Sequence, residues 1–221
     1  MTEPPRSNYH HGNLKEALLN AAFETLEHTD LGKLSLRGLA RQVGVTPTAA
    51  YSHFSDKIAL LVELKTVAFA RFEGYLSQAV HLVPTDDPEN RIRALGRAYL
   101  TFAREHPSLF NLLFSWTPEL NRITPECMEA GARGEELLRH EVSQLLRASG
   151  CEMTEYQAAV ASFSAWSMVH GVTSLLQAGT VDAATFCHNW PAEFSTDNPE
   201  AQAKVLEHVL SIQLAGLKHA M

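Results

Sequence analysis

Residues 35–57, SLRGLARQVGVTPTAAYSHFSDK, read as two short helices joined by a tight turn and running into a third. Ser35 is a side chain that caps a helix, and Leu36, Leu39, Ala40 and Val43 then recur at the period of a buried helical stripe. Gly44 stands where a helix ends in a left-handed residue. Thr46 and Pro47 follow as a cap and a first helical position, where the missing proline N–H costs nothing. The second helix turns Val45, Ala50 and Phe54 inward, and small Ala40 admits the steep crossing of a helix-turn-helix. Ser55 is placed to cap the third helix, with Asp56 against its positive end. Between Lys33 and Lys57 four cations (Lys33, Arg37, Arg41, Lys57) meet one acid, Asp56, a bias that suits contact with DNA phosphates.

The charge of the whole chain is placed unevenly. Of its 221 residues, the first 60 carry six Lys/Arg and six Asp/Glu, so the net −7 belongs to the remainder. A neutral head with a basic patch on an acidic body fits a local nucleic-acid contact and excludes a protein that coats DNA. Three scattered cysteines (Cys127, Cys151, Cys187) and a polar N-terminus, MTEPPRSNYHHG, imply reduced thiols and a cytoplasmic location. Residues 156–181 hold no formal charge, but Gln157, Ser162, Ser164, Ser167, His170 and Gln177 make them too polar for lipid. Burial inside protein is the expected explanation, with no membrane partner.

Along the chain the periodicity is helical throughout. Residues 1–12 form a flexible arm whose Arg6, Tyr9, His10 and His11 can touch DNA. Asn13 caps a first helix that ends near residues 29–32. After the helix-turn-helix, one long helix runs from Asp56 towards Leu82, stopped by Val83-Pro84. Helices follow over about 88–105, from Ser108, over 126–148, from the Thr154/Gln157 capping box to Ala178-Gly179, after Asp182, and over 200–217. No strand-like alternation and no repeat occurs. The fold class is all-α: a helix-turn-helix domain over residues 1–57 and a larger helical domain over 58–221.

The stretch 34–61, LSLRGLARQVGVTPTAAYSHFSDKIALL, resembles the tetracycline-repressor (TetR) family of regulators, most specifically through Tyr51, His53, Phe54 and Lys57. The segment WSMVHG (Trp166, His170, Gly171) is similar to one in a subgroup with a shared C-terminal domain. The resemblance implies a homodimer that binds a palindromic operator in double-stranded DNA and releases it when a small molecule enters the C-terminal domain.

Within that frame, Thr46, Thr48 and Ala49 are the candidates for base edges, since Thr hydroxyls bond several bases and methyls meet thymine. Ser35, Arg37, Tyr51, Ser52, His53 and Lys57 are the candidates for phosphates. An aromatic-rich body predicts a lipophilic pocket lined by Phe72, Tyr99, Phe102, Phe110, Phe114, Trp116, Phe163 and Trp166, with His170 and Tyr99 orienting the ligand. Phe69 belongs to the same aromatic pool. Two apolar C-terminal helices suit an isologous dimer, with Ala158, Ala161, Ser162, Ala165, Val205, Val209 and Ile212 at the interface. No cofactor and no metal is expected: His10-His11 and Cys187-His188 lack structural-zinc spacing, and no nucleophile elbow or phosphate loop occurs. Two other readings compete: a DNA-binding protein of this fold answering to a protein partner, and, from another class, an all-α enzyme.

Overall fold

A computed structural model describes residues 14–179, Pro191, Phe194 and 198–220. The arm at Arg6, Tyr9, His10 and His11, the cap at Asn13, the helix after Asp182 and the Cys187-His188 pair lie outside the described residues. Those residues form α1 (Leu14–His28), α2 (Leu36–Gln42), α3 (Pro47–Tyr51), α4 (Lys57–His81), α5 (Pro88–Glu105), α6 (Pro107–Phe114), α7 (Pro125–Ala148), α8 (Glu155–Gln177) and α9 (Pro199–Ala220). No strand occurs among them. The chain is all-α.

Local chemistry sets the head. Ser35 Oγ accepts from Gly38 N and Thr46 Oγ1 from Ala49 N, so both caps form. Gly44 takes φ 75°, and Val45 N closes a bond to Ala40 O at 2.8 Å, which reverses the chain between α2 and α3. Leu18, Ala22, Leu34, Leu39, Ala40, Ala50, Phe54 and Leu60 form the small core beneath. Two local expectations are corrected. Asp56, not Ser55, caps α4, because its carboxylate accepts from Ala59 N at 2.8 Å. Phe54 lies beyond the C-terminus of α3, which has only five residues, and reaches the core from the following turn.

The 25 residues of α4 run from head to body, about 37 Å at 1.5 Å per residue. Its far end is held by Arg91 of α5. That guanidinium bonds both oxygens of buried Glu141 on α7, at 2.8 and 2.7 Å, and the carbonyls of Val80 and Val83 at 2.9 and 3.0 Å. One side chain thus closes the exposed end of α4 and joins three helices. Its near end is tied by Arg122, in the segment between α6 and α7, to Asp56. Ser108 at the start of α6 adds a bond to Thr29 O at 3.1 Å.

α8, uncharged after Glu155, departs from the expectation of burial. Its inward face, Ala161, Ala165, Val169, Thr173 and Leu176, packs on α5, α7 and α9, while Tyr156, Val160, Phe163 and Leu175 are exposed. By length and composition alone this helix could cross a membrane, the one such helix among the described residues.

Candidate DNA-reading head and effector cavity

The head leaves most of its polar candidates open to solvent. Ser35, Arg37, Thr46, Thr48, Tyr51, Ser52 and His53 are all exposed, and Ala49 is half-buried beside them. The hydroxyls differ in what they have left to give. Ser35 and Thr46 accept a backbone N–H and keep their O–H free to donate to a phosphate oxygen. Ser52 Oγ spends its proton on Ala49 O at 2.7 Å and can only accept. Lys57 is placed differently from the phosphate-contact expectation. Its ammonium turns back onto Leu31 O and Gly32 O, at 2.8 and 3.2 Å, and closes the turn between α1 and α2. Gln42 is likewise engaged, with Thr25 and Glu24.

The body holds a cavity of about 470 Å³ between α4, α5, α6, α7, α8 and α9. Six of the nine sequence candidates line it: Phe72, Tyr99, Phe114, Phe163, Trp166 and His170. Phe102, Phe110 and Trp116 do not. Phe102 is fully buried against Phe72 and Tyr75, and Phe110 stacks behind His170 at 5.7 Å. Trp116 covers Lys65, whose ammonium donates to Leu112 O and Trp116 O at 3.1 and 2.8 Å at the end of α6. Burial holds that ammonium below the usual lysine range.

Three glycines that the sequence reading passed over shape the walls. Gly131 and Gly134 share one face of α7, where a Cβ would come within 3.3 Å of the Phe69 ring and 3.5 Å of Leu76. Gly96 of α5 lies against Leu210, 3.0 Å from where its Cβ would stand. Each glycine inside a helix costs about 1 kcal/mol relative to alanine, so close approach of α4 to α7 and of α5 to α9 is what offsets it. Interior glycines at i, i+3 on a charged helix were the available signal.

The polar part of the cavity is a short chain of hydrogen bonds. Tyr99 Oη lies 2.7 Å from His170 Nδ1, and His170 Nε2 lies 3.4 Å from Ser174 Oγ. Burial pushes the Tyr99 phenol well above its ordinary value, opposed by a hydrogen bond from Trp166. Burial pushes His170 below its ordinary 6.5. Both groups are therefore neutral near pH 7. Glu135 at the rim is the only charged residue among the described lining residues, and Arg139 pairs with it.

The proposed interface residues divide. Ala161, Ser162 and Ala165 are corrected: they are buried within this chain, facing α5, α7 and α9, because small residues fit the inner side of α8. Val205 is buried too, Ala158 and Val209 are half-buried, and Ile212 is 74% exposed. The outward apolar surface is instead Tyr156 (77%), Val160, Phe163 (65%), Leu175 and Ile212. Among the described residues no group of three His, Cys, Asp or Glu side chains is placed to hold a metal.

Comparison with known proteins follows the same division. Residues 18–64 match the family described as "Bacterial regulatory proteins, tetR family", and residues 92–193 match "Tetracyclin repressor-like, C-terminal domain". The nucleoid occlusion factor SlmA of Marinobacter nauticus is 32% identical over 95 residues, 43% of this chain and 48% of its own. This chain therefore spans about half the length of such curated relatives. An uncharacterized HTH-type transcriptional regulator of Haemophilus influenzae is 26% identical over 163 residues, 73% of each chain. A protein of unknown function from Rhodococcus sp. RHA1 superposes with a TM-score of 0.77 at 28% identity, over 97% of this chain and 100% of that one.

Proposed function

The chain belongs to the TetR family of DNA-binding bacterial regulators, and from that premise we propose that it is a cytoplasmic repressor released from a palindromic operator by a small, mainly apolar effector. The observation that carries this reading is the cavity's position. Leu113 and Phe114 of α6 form part of its wall, and the chain leaving α6 reaches Arg122, which grips Asp56 at the head of α4. An effector that fits the cavity better in one arrangement of α6 shifts the population of head positions, by as much as its affinity for the two arrangements differs.

In this reading α3 enters the major groove with Thr46, Thr48 and Ala49 at the bases, and Ser35, Arg37, Tyr51 and His53 on phosphates. The sparse base chemistry makes half-site spacing and DNA shape large contributors to specificity. A homodimer supplies that spacing. The exposed apolar residues of α8, with Ile212 of α9, support it: across a two-fold axis they would build a four-helix interface with heads about 34–36 Å apart. Trp166, His170 and Gly171 further support the subgroup with the Trp-x-x-x-His-Gly segment. Footprinting across the neighbouring intergenic DNA tests the proposal. A protected palindrome is the expected result, and no specific site on any genomic fragment is the opposite one.

The similarity to nucleoid occlusion factors favours a second reading, a DNA-binding protein of this fold whose partner is another protein. It predicts operator binding that no cavity ligand alters.

A further inference from the structure

The cavity, read above as an effector site, has a charge pattern that narrows what it accepts. Its described lining holds aromatic faces from Phe69, Phe72, Tyr99, Phe114, Phe163 and Trp166, one carboxylate, and no lysine or arginine. The groups able to supply a positive charge do not. His170 is neutral, with its ring nitrogens facing Tyr99 and Ser174. Lys65 stands behind Phe69 with its ammonium on two backbone carbonyls.

Glu135 sits at the rim, its side chain 35% exposed. Arg139 forks onto both of its oxygens, yet each oxygen keeps a further lone pair. Arg139 stands outside the lining and is itself partly exposed, so the described lining carries one negative charge and no positive one. An anion in this cavity would lose its hydration without a counter-charge, which is costly. A cation at the rim gains both the carboxylate field and ring faces.

We propose, resting on the effector reading, that the ligand class is an aromatic organic cation, its ring system between the aromatic walls and its charge at Glu135. A volume of about 470 Å³ takes a three-ring body.

The test uses three anthracene probes of nearly equal size on the full-length protein: 9-anthracenylmethylammonium, 9-anthracenemethanol and 9-anthracenecarboxylate, followed by anthracene anisotropy. The cation should bind about 5–10-fold tighter than the alcohol, a modest factor because the rim is partly solvated, and the carboxylate weakest. Glu135→Gln should bring the cation-to-alcohol ratio close to one. Arg139→Gln, which frees the carboxylate, should raise it. Ser167→Trp, at an exposed position in the lining, should weaken all three by closing the mouth.

If the alcohol or the carboxylate binds tightest, or if Glu135→Gln leaves the ratio intact, the cation class is overturned while the effector site stands. If no probe binds, or if all bind Ser167→Trp unchanged, the effector site itself is overturned and the class falls with it.

Discussion

One guanidinium nitrogen of Arg122 reaches both carboxylate oxygens of Asp56, at 2.7 and 2.8 Å, and so joins the segment after α6 to the N-cap of α4. That hydrogen bond, ahead of the one from Ala59 N, holds the Asp56 carboxyl below the ordinary carboxylate range. The pair is partly exposed, so its loss should change stability by less than about 1 kcal/mol. Its effect should instead appear in coupling. Arg122→Gln should bind the tightest anthracene probe normally, yet show a reduced change in operator affinity when the probe is saturating. Operator titrations with and without probe check this; an unchanged response would remove Arg122 from the route.

Lys57 and Arg37 carry the same charge and should fail differently. Arg37 is exposed with no recorded partner among the described residues, and Arg37→Ala should lower the slope of log K against log salt by about one. The Lys57 ammonium is committed to Leu31 O and Gly32 O. Lys57→Met should therefore cost about 1 kcal/mol of head stability through uncapped carbonyls. Its salt slope should stay near that of the native protein. Equal slopes for both variants would return Lys57 to the phosphate surface.

Arg91 and Glu141 form the buried ion pair that closes α4. Removing one partner leaves a desolvated charge, so Glu141→Leu or Arg91→Met should each destabilise by about 3–5 kcal/mol in urea unfolding. The double variant Arg91→Met/Glu141→Leu should recover much of the loss, although Val80 O and Val83 O would still lack their donor. A double variant as unstable as the sum of the singles would mean the carbonyl bonds dominate.

The head was legible because its signals are local. Ser35, Gly44, Thr46 and Pro47 act within a few residues of themselves, and each took the expected conformation. Lys57 was not, because a four-carbon stem can turn back as readily as outward. The cavity was half legible. Aromatic residues mark a lipophilic region, but only tertiary packing decides that Phe114 faces the space and Phe102 the core. On α8 the uncharged sequence offers no polar side, so small Ala161 and Ala165 read as well outward as inward. Shape resolved it: small residues fit against α5 and α7, and bulky Tyr156 and Phe163 were left outside. Arg91 and Glu141, fifty residues apart, left no sequence trace of their pairing.

That inward face of α8 also carries a cost. Ser162 Oγ and Thr173 Oγ1 are buried and find no hydrogen-bond partner among the described residues. Replacing an unpaired buried hydroxyl by a methyl of similar shape removes a desolvation penalty. Thr173→Val should stabilise the protein by about 1 kcal/mol, read as a higher urea midpoint at constant m. A lower midpoint would show that the hydroxyl has a partner.

His170 gives the body a dependence on pH with a definite sign. Burial lowers its pKa below the ordinary 6.5, so between 6.5 and that lowered value the unfolded chain binds more protons than the folded one. The contribution of neutral His170 is complete above about pH 6.5 and drains away as the pH falls. Asp56 and Glu89, lowered by their ion pairs, lose their contributions only below about 3.8 and 4.5. The slope of stability between pH 6.5 and 5 should therefore be steeper in the native protein than in His170→Gln, which keeps a polar group beside Tyr99. The difference cannot exceed about 1.4 kcal/mol per pH unit, and partial exposure should hold it well under that. Every other histidine is common to both proteins, so the difference between the two curves isolates His170. Thermal melts at half-unit steps provide the comparison; parallel curves would show that His170 stays accessible to protons in the folded state.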